Sequence, residues 1–303
     1  MTTIRSPQLI TPPKEEEEIY PYRRAWRSVF IETGILTILL LVFFVLFNLL
    51  GITVPQRLLL PFNLLIVLLP TLLWLVFSRV PERLVVEPRR RLLTTFVVTA
   101  LVANAIGIPL LDNVLQPNDW LPLASTLNRI MGYTTTVAIL QEFLKYLVIR
   151  YIVWPEYYRV RTDAIAYGAA SGVAYAMVIS LNYLFQNPMA TPDAIMLRVF
   201  ATTTLNIVGS VIVAYGLAES QFSNALSFLL PITVLLAAIV NGIAIAMRPT
   251  FMKATLGLTI SAEKTIFGVI FALILYIVPI VTLLFLFNVS ERREQDKLAG
   301  QDI

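Results

Sequence analysis

Glu142 and Lys145 are the charged residues best placed to do chemistry, because both interrupt an otherwise apolar stretch of the chain. Their spacing places both side chains on one face of a helix, within reach of a salt bridge. In one interpretation Glu142 is a general base or a metal ligand, and Lys145 keeps its carboxylate ionised. In the other, the two charges neutralise each other and fix the helix against its neighbours. The spacing alone favours the second interpretation.

Two glycines and three amides stand out in other apolar segments. Gly168 and Gly172 form a Gly-x-x-x-Gly pair, which lets a second helix approach closely, so we predict a packing role for them. Asn182, Asn206 and Asn241 need partners inside the protein. Hydrogen bonds between helices are a sufficient reason for their presence.

Missing residue types and motifs exclude several classes of site. The 303 residues include no Cys and no His, so the sequence lacks thiolate chemistry, the commonest metal ligand and the commonest general base. Walker-type loops, Gly-x-Ser-x-Gly elbows and His-Glu-x-x-His helices are also absent.

The composition is typical of a membrane protein. Hydrophobic residues make up 57% of the chain and charged residues 14%, against about 25% charged in an average soluble domain. The apolar residues form blocks of about 20, the length of helix that crosses a bilayer. Loop Lys and Arg residues explain the net charge of +4, so we do not expect nucleic acid as a partner. We predict an all-α, polytopic membrane helix bundle in contact with the lipid bilayer.

The blocks predict about eight transmembrane helices within one domain, residues 28–288. The spans are 30–52, 58–78, 92–113, 122–154, 163–185, 195–218, 228–247 and 265–288. Residues 1–27 and 289–303 are then polar cytoplasmic tails, and the acidic run 15–18 is expected to be solvated.

The distribution of Lys and Arg predicts the orientation. With the N-terminus inside, sixteen of these residues lie on the inner side and four on the outer side. The positive-inside rule therefore predicts a multi-pass protein of the cell membrane with both termini cytoplasmic. Glu32 opens the first span, where a helix N-terminus favours an anion. Arg198 starts the sixth span, and we expect its side chain to extend to the outer headgroups.

Residues between 141 and 183 follow the order of a family motif. Gln141-Glu142-x-x-Lys145 resembles the Glu-Glu-x-x-Lys motif of the PrsW family of intramembrane metalloproteases, relatives of the CAAX prenyl protease group, except at its first Glu. Asp163 then opens a segment similar to the family's Tyr-Gly-Ala-Ala-x-Gly helix. Its matching positions are Tyr167, Gly168, Ala169, Ala170, Gly172, Ala176 and Tyr183. The resemblance covers about residues 90–250 and implies a PrsW-like core in spans four to seven.

The family's catalytic positions hold other residues here. Ile179 and Ser180 stand at its second-helix Glu and Asn, and Asn206 stands where a later His is expected. In the seventh span, the family's His-x-x-x-Asn resembles Ala237 followed by Asn241.

These departures remove the ligands of the zinc that the resemblance implies. A catalytic zinc needs about three protein ligands, and neutral amides are poor substitutes for imidazole and thiolate. We therefore expect no cofactor and no metal site. The resemblance implies a cavity lined by Gln141, Asn206 and Asn241, beside the candidate catalytic pair Glu142 and Lys145.

Three functions follow from this comparison. The first is a catalytically degenerate PrsW-like protein, a pseudoenzyme that binds or scaffolds a membrane-protein partner as an accessory subunit. The second is an active intramembrane peptidase that uses Glu142 to activate water against a peptide substrate. The third is a small transporter or channel in which Glu142 and Lys145 belong to an ion path, although polar residues for a continuous pore are sparse.

Overall fold

The computed structural model describes residues 24–121, 124–222, 228–252, 270–271, 273–274, 277–278 and 280–289. The elements in these ranges are all helices, which confirms the all-α prediction. They are α1 (Arg24–Phe43), α2 (Gln56–Trp74), α3 (Leu92–Val102), α4 (Pro117–Trp120), α5 (Thr126–Tyr133), α6 (Ile139–Ile152), α7 (Asp163–Gln186), α8 (Pro192–Phe222), α9 (Leu229–Met252) and α10 (Ile280–Val289).

Short helical segments, most of them π-helical, extend or join several of these helices. They are Phe44–Leu49 after α1, Leu75–Arg79 and Val80–Glu82 after α2, Ala103–Gly107 and Leu110–Leu115 after α3, and Thr134–Ala138 between α5 and α6. The extensions lengthen α1, α2 and α3 to the thickness of a bilayer.

Six helices in the described ranges are long and apolar enough to cross a membrane, which confirms a multi-pass membrane protein. Their bounds are Ala25–Leu49, Gln56–Glu82, Leu92–Leu115, Asp163–Gln186, Pro192–Phe222 and Leu229–Ala246. The fourth predicted span, 122–154, corresponds to α5 and α6, whose four charged residues lower its apolar character. The eighth, 265–288, lies partly outside the described residues and includes most of α10. The total of eight therefore stays a prediction.

Helix α8 lies at the centre of the bundle. Its apolar window is 94% buried and that of α7 is 78% buried, whereas 39% or less is buried in the other four spans. Helices α1, α2, α6, α7 and α9 all contact α8. Polar side chains on α8 are therefore shielded from lipid by other helices.

Gly168 and Gly172 lie where α7 and α8 approach most closely. A Cβ atom on Gly172 would lie 2.6 Å from the backbone oxygen of Asn206 and from the Cα atom of Ile207. A Cβ atom on Gly168 would lie 3.0 Å from the backbone oxygen of Ser210. Both positions therefore need the small side chain that the sequence provides.

Glu32 does not open a helix, because α1 begins at Arg24 and places Glu32 more than two turns inside. Its side chain is buried and accepts a hydrogen bond of 2.5 Å from the Ser78 hydroxyl, at the end of the second span. The expected interaction with the helix N-terminus is therefore wrong, and the carboxyl group instead links α1 to the segment after α2.

A buried ion cluster fixes one end of the bundle. This end carries the arginine-rich loops, residues 83–91 before α3 and 153–162 before α7. Arg89 pairs with Glu82 and, at 2.8 Å, with Asp163, the first residue of α7. The second Asp163 oxygen accepts backbone N–H bonds from Arg159 at 2.8 Å and Val160 at 3.0 Å. Asp163 therefore holds the loop before α7 against the loop before α3.

Candidate functional site

Glu142 and Lys145 lie on α6 and are completely buried. The Lys145 Nζ atom donates a hydrogen bond of 2.7 Å to Glu142 Oε1, so the pair predicted from spacing is in direct contact. The same ammonium group donates a bond of 3.0 Å to Asn206 Oδ1 on α8. Two buried charges and one amide therefore meet inside the bundle.

The two amides orient this ion pair from neighbouring helices. Asn206 Nδ2 donates 2.8 Å to the backbone oxygen of Thr202, which turns Asn206 Oδ1 toward Lys145. Asn241 Nδ2 on α9 donates a short bond of 2.5 Å to Glu142 Oε1. The network thus joins α6, α8 and α9, and Glu142 Oε1 accepts from both an ammonium and an amide.

Gly209 makes room for the Glu142 carboxylate. A Cβ atom at Gly209 would lie 2.5 Å from Glu142 Oε1, 2.8 Å from Cδ and 2.9 Å from Oε2. No motif in the sequence points to this residue. The available signal was its position three residues after Asn206, which places both on one face of α8.

A cavity of about 160 Å³ lies beside the network. Its walls come from the last turns after α3, from α5 to α9, and from the start of α4. Gln141, Asn206 and Asn241 all lie on its wall. Glu142 and Lys145 are not among its lining residues and lie behind the wall.

Three of the positions where the resemblance places further polar groups contribute no hydrogen bond to Glu142. Ile179 lines the cavity as an apolar side chain, and Ala237 is fully buried in the main apolar cluster. Ser180 is buried, and its hydroxyl has no hydrogen-bond partner among the described residues. The amides at 206 and 241 bond to the ion pair itself.

The residues present do not fit a catalytic zinc ion. Within the described ranges, no three Asp or Glu side chains come close enough together to share a metal ion, and the chain has no His or Cys to contribute. Glu142 is the one carboxylate of this network, and the Lys145 ammonium already bonds to its Oε1 atom. A divalent cation there would meet a neighbouring positive charge and neutral amides.

Arg198 lies in the wall of the cavity and is partly exposed. It is on α8, and its guanidinium carbon stands 3.5 Å from the centre of the Tyr183 ring. The side chain packs between α7 and α8 instead of extending away from them.

Tyr158, in the loop before α7, is a buried residue of the ion cluster at the opposite end. Its ring stacks on Tyr167 at a centroid distance of 5.8 Å. Burial raises the pKa of Tyr158 well above its usual value, and the Asp163 carboxylate raises it further. The phenol is therefore neutral at physiological pH and has a structural role.

The fold and site define a polytopic membrane protein with a polar network enclosed by its central helices. The sequence model of the PrsW family intramembrane metalloproteases matches residues 87–284, more than half of the chain. The chain therefore belongs to the PrsW family, which confirms the resemblance seen in its motifs. No curated protein and no solved structure matches it.

Proposed function

We propose that the protein is a catalytically degenerate member of the PrsW family that binds or scaffolds a partner protein in the membrane. The observation that supports this proposal is the bonding and burial of the Glu142 carboxylate. Its Oε1 atom is bonded to Lys145 and Asn241, and its side chain is fully enclosed. A carboxylate neutralised in this way is poorly suited to take a proton from water.

The retained scaffold supports the same proposal. The glycine contacts between α7 and α8 and the Asp163 cluster keep the bundle closely packed, although the family's metal-binding side chains are missing. Loss of ligands together with retention of the fold is expected for a protein selected for binding.

Metal analysis of the purified full-length protein tests the proposal. We expect zinc far below one equivalent per chain, and no gain of peptidase activity on addition of zinc. A copurifying membrane protein in fixed ratio would support the scaffold role. Stoichiometric zinc that is lost in the Glu142→Gln variant would contradict it.

A second candidate function is peptide hydrolysis at Glu142. It is favoured by one observation: Glu142 Oε2 has no hydrogen-bond partner among the described residues, and the preceding residue, Gln141, lines the cavity. Under this hypothesis, Glu142→Gln abolishes cleavage of a single-span substrate.

The matched control is Glu219→Gln. Glu219 is also buried on a central helix and pairs with Arg161 at 3.2 Å. Neither Glu219 nor Arg161 lines the cavity, whereas Asn241, which bonds to Glu142, does. Cleavage lost in Glu142→Gln but kept in Glu219→Gln would establish the peptidase. Equal processing in both variants would exclude Glu142 as the base.

A further inference from the structure

Arg198 is a half-buried cation in the cavity wall that has no anionic partner among the described residues. None of the ion pairs in the described part of the chain includes it, and its Nε atom is buried without a hydrogen-bond partner. The stacking on Tyr183 holds the guanidinium plane in place but does not neutralise its charge. An unpaired charge inside a membrane protein is costly, so a mobile anion can gain free energy by binding there.

The carboxylate of Asp112 does not serve as the anionic partner of Arg198. Asp112 also lines the cavity, but its Oδ2 atom faces two amides, Asn182 Nδ2 at 3.4 Å and Gln186 Nε2 at 3.5 Å. Asp112 is exposed and makes no ion pair with Arg198. The guanidinium group therefore keeps its hydrogen-bonding capacity for a ligand.

The part of the cavity around Arg198 lies near one end of the bundle, and the rest extends inward to Asn206 and Asn241. The end of α7, the start of α8 and the last turn after α3 bound this outer part, at the end opposite the arginine-rich loops. Arg198 is the seventh residue of α8, about 9 Å from its first residue at 1.5 Å per residue. Trp120, 49% exposed on the adjacent α4, is the type of residue that marks a membrane interface.

The size and surroundings of the cavity fit a small headgroup. A cavity of about 160 Å³ has room for several water molecules and therefore for a phosphate group. Apolar side chains that can contact the acyl chains of a lipid lie outside the cavity. Near the end of α7, Phe185 is 65% exposed and Met189 is 59% exposed.

We propose that this cavity binds the phosphate headgroup of an anionic lipid, with the Arg198 guanidinium as its main receptor. A guanidinium group presents parallel N–H donors that match phosphate oxygens in a bidentate arrangement. The side-chain amides of Asn182 and Gln186 can donate to the remaining phosphate oxygens when their hydrogen bonds to Asp112 break. The proposal rests on the proposed function in one respect: a cavity that is not used for cleavage is free to hold a lipid.

Lipid binding to the purified, delipidated full-length protein tests the proposal. The probes are short-chain phosphatidylglycerol, phosphatidylcholine, inorganic phosphate and an apolar peptide with a free carboxyl terminus. The readout is the affinity measured by native mass spectrometry. We expect phosphatidylglycerol to bind more tightly than phosphatidylcholine. Arg198→Gln should weaken phosphatidylglycerol about tenfold to a hundredfold, because charged hydrogen bonds are lost.

The control is Arg57→Gln, an exposed arginine at the same end of the bundle, which should leave the affinity unchanged. Asp112→Asn should strengthen phosphatidylglycerol binding, since it removes a negative charge from the cavity wall. If Arg198→Gln does not fold, the affinity for phosphatidylglycerol is measured in Arg198→Lys. The comparison of the two lipids in the unaltered protein then tests the proposal together with this variant.

Three results would overturn the proposal. They are equal affinity for the two lipids, equal losses in Arg198→Gln and Arg57→Gln, and free phosphate or an apolar peptide with a free carboxyl terminus binding as tightly as phosphatidylglycerol. None of these results bears on zinc content or cleavage, so the proposed function would stand. Conversely, cleavage that depends on Glu142 would remove the proposed function without changing the measured lipid affinities.

Discussion

Removing the positive charge of Lys145 should strongly destabilise the protein, because it leaves Glu142 as an unpaired buried charge. At the observed 2.7 Å and an effective dielectric constant of about 20, the attraction between Lys145 and Glu142 is about 6 kcal/mol. Burial of the two ions costs several kcal/mol each, so the net contribution of the pair is small. Lys145→Met keeps the burial cost of Glu142 but removes the attraction. We expect a loss of about 3–5 kcal/mol in the free energy of unfolding.

Thermal unfolding in detergent micelles, followed by intrinsic fluorescence, measures this loss. It corresponds to a decrease of about 10 °C in Tm. The matched control is Arg150→Met on the same helix, where the guanidinium group stacks on Trp154 at 3.5 Å. That change should cost about 1 kcal/mol or less, because it removes a partly exposed cation–π contact.

The double variant Glu142→Gln with Lys145→Met decides whether the burial argument is right. It removes both charges and keeps a carbonyl oxygen to accept from Asn241. We expect it to recover most of the stability lost in Lys145→Met. A double variant as unstable as the single one, or a single variant as stable as the control, would refute the reasoning.

Two further substitutions test packing and the ion cluster in the same unfolding assay. Gly209→Ala should lower the free energy of unfolding by about 1–3 kcal/mol, because the added methyl group overlaps the Glu142 carboxylate. Its control is Gly34→Ala, which should be neutral or stabilising because nothing lies within 4 Å of the added methyl group. Equal effects of the two changes would contradict the contact between Gly209 and Glu142. Asp163→Asn should cost about 3–5 kcal/mol, since it removes the charge that pairs with a buried arginine. Its control, Glu87→Gln, removes an exposed ion pair worth about 1 kcal/mol or less, and a similar loss in both would argue against the cluster.

The sequence predicted the membrane bundle because hydropathy depends on local composition alone. It also predicted the contact between Glu142 and Lys145, because two residues three apart on one helix are neighbours whatever surrounds them. Gly168 and Gly172 were found for a similar reason, since close helix approach requires small side chains. These features belong to single helices.

Features that depend on the relative rotation of two helices could not be predicted in this way. Gly209 matters because it faces a carboxylate on another helix, and its spacing from Asn206 shows only that the two residues share one face of α8. Arg198 lines the cavity because α7 places Tyr183 beside it. Glu32 was assigned to a helix start because its polar neighbours hid the first turns of α1. Family motifs supplied part of this missing information by pointing to Asn206 and Asn241.

The central position of α8 has a consequence for how the chain is assembled. This helix carries Asn206, Glu219 and several threonines, and such a segment is costly to place in lipid by itself. Synthesis proceeds from the N-terminus, so α1, α2, α6 and α7 emerge from the ribosome before α8 does. The earlier helices can form a groove that receives α8 directly, and α9 then closes it. A truncated chain that ends after α7 should therefore be inserted but present an open polar groove to quality-control proteases.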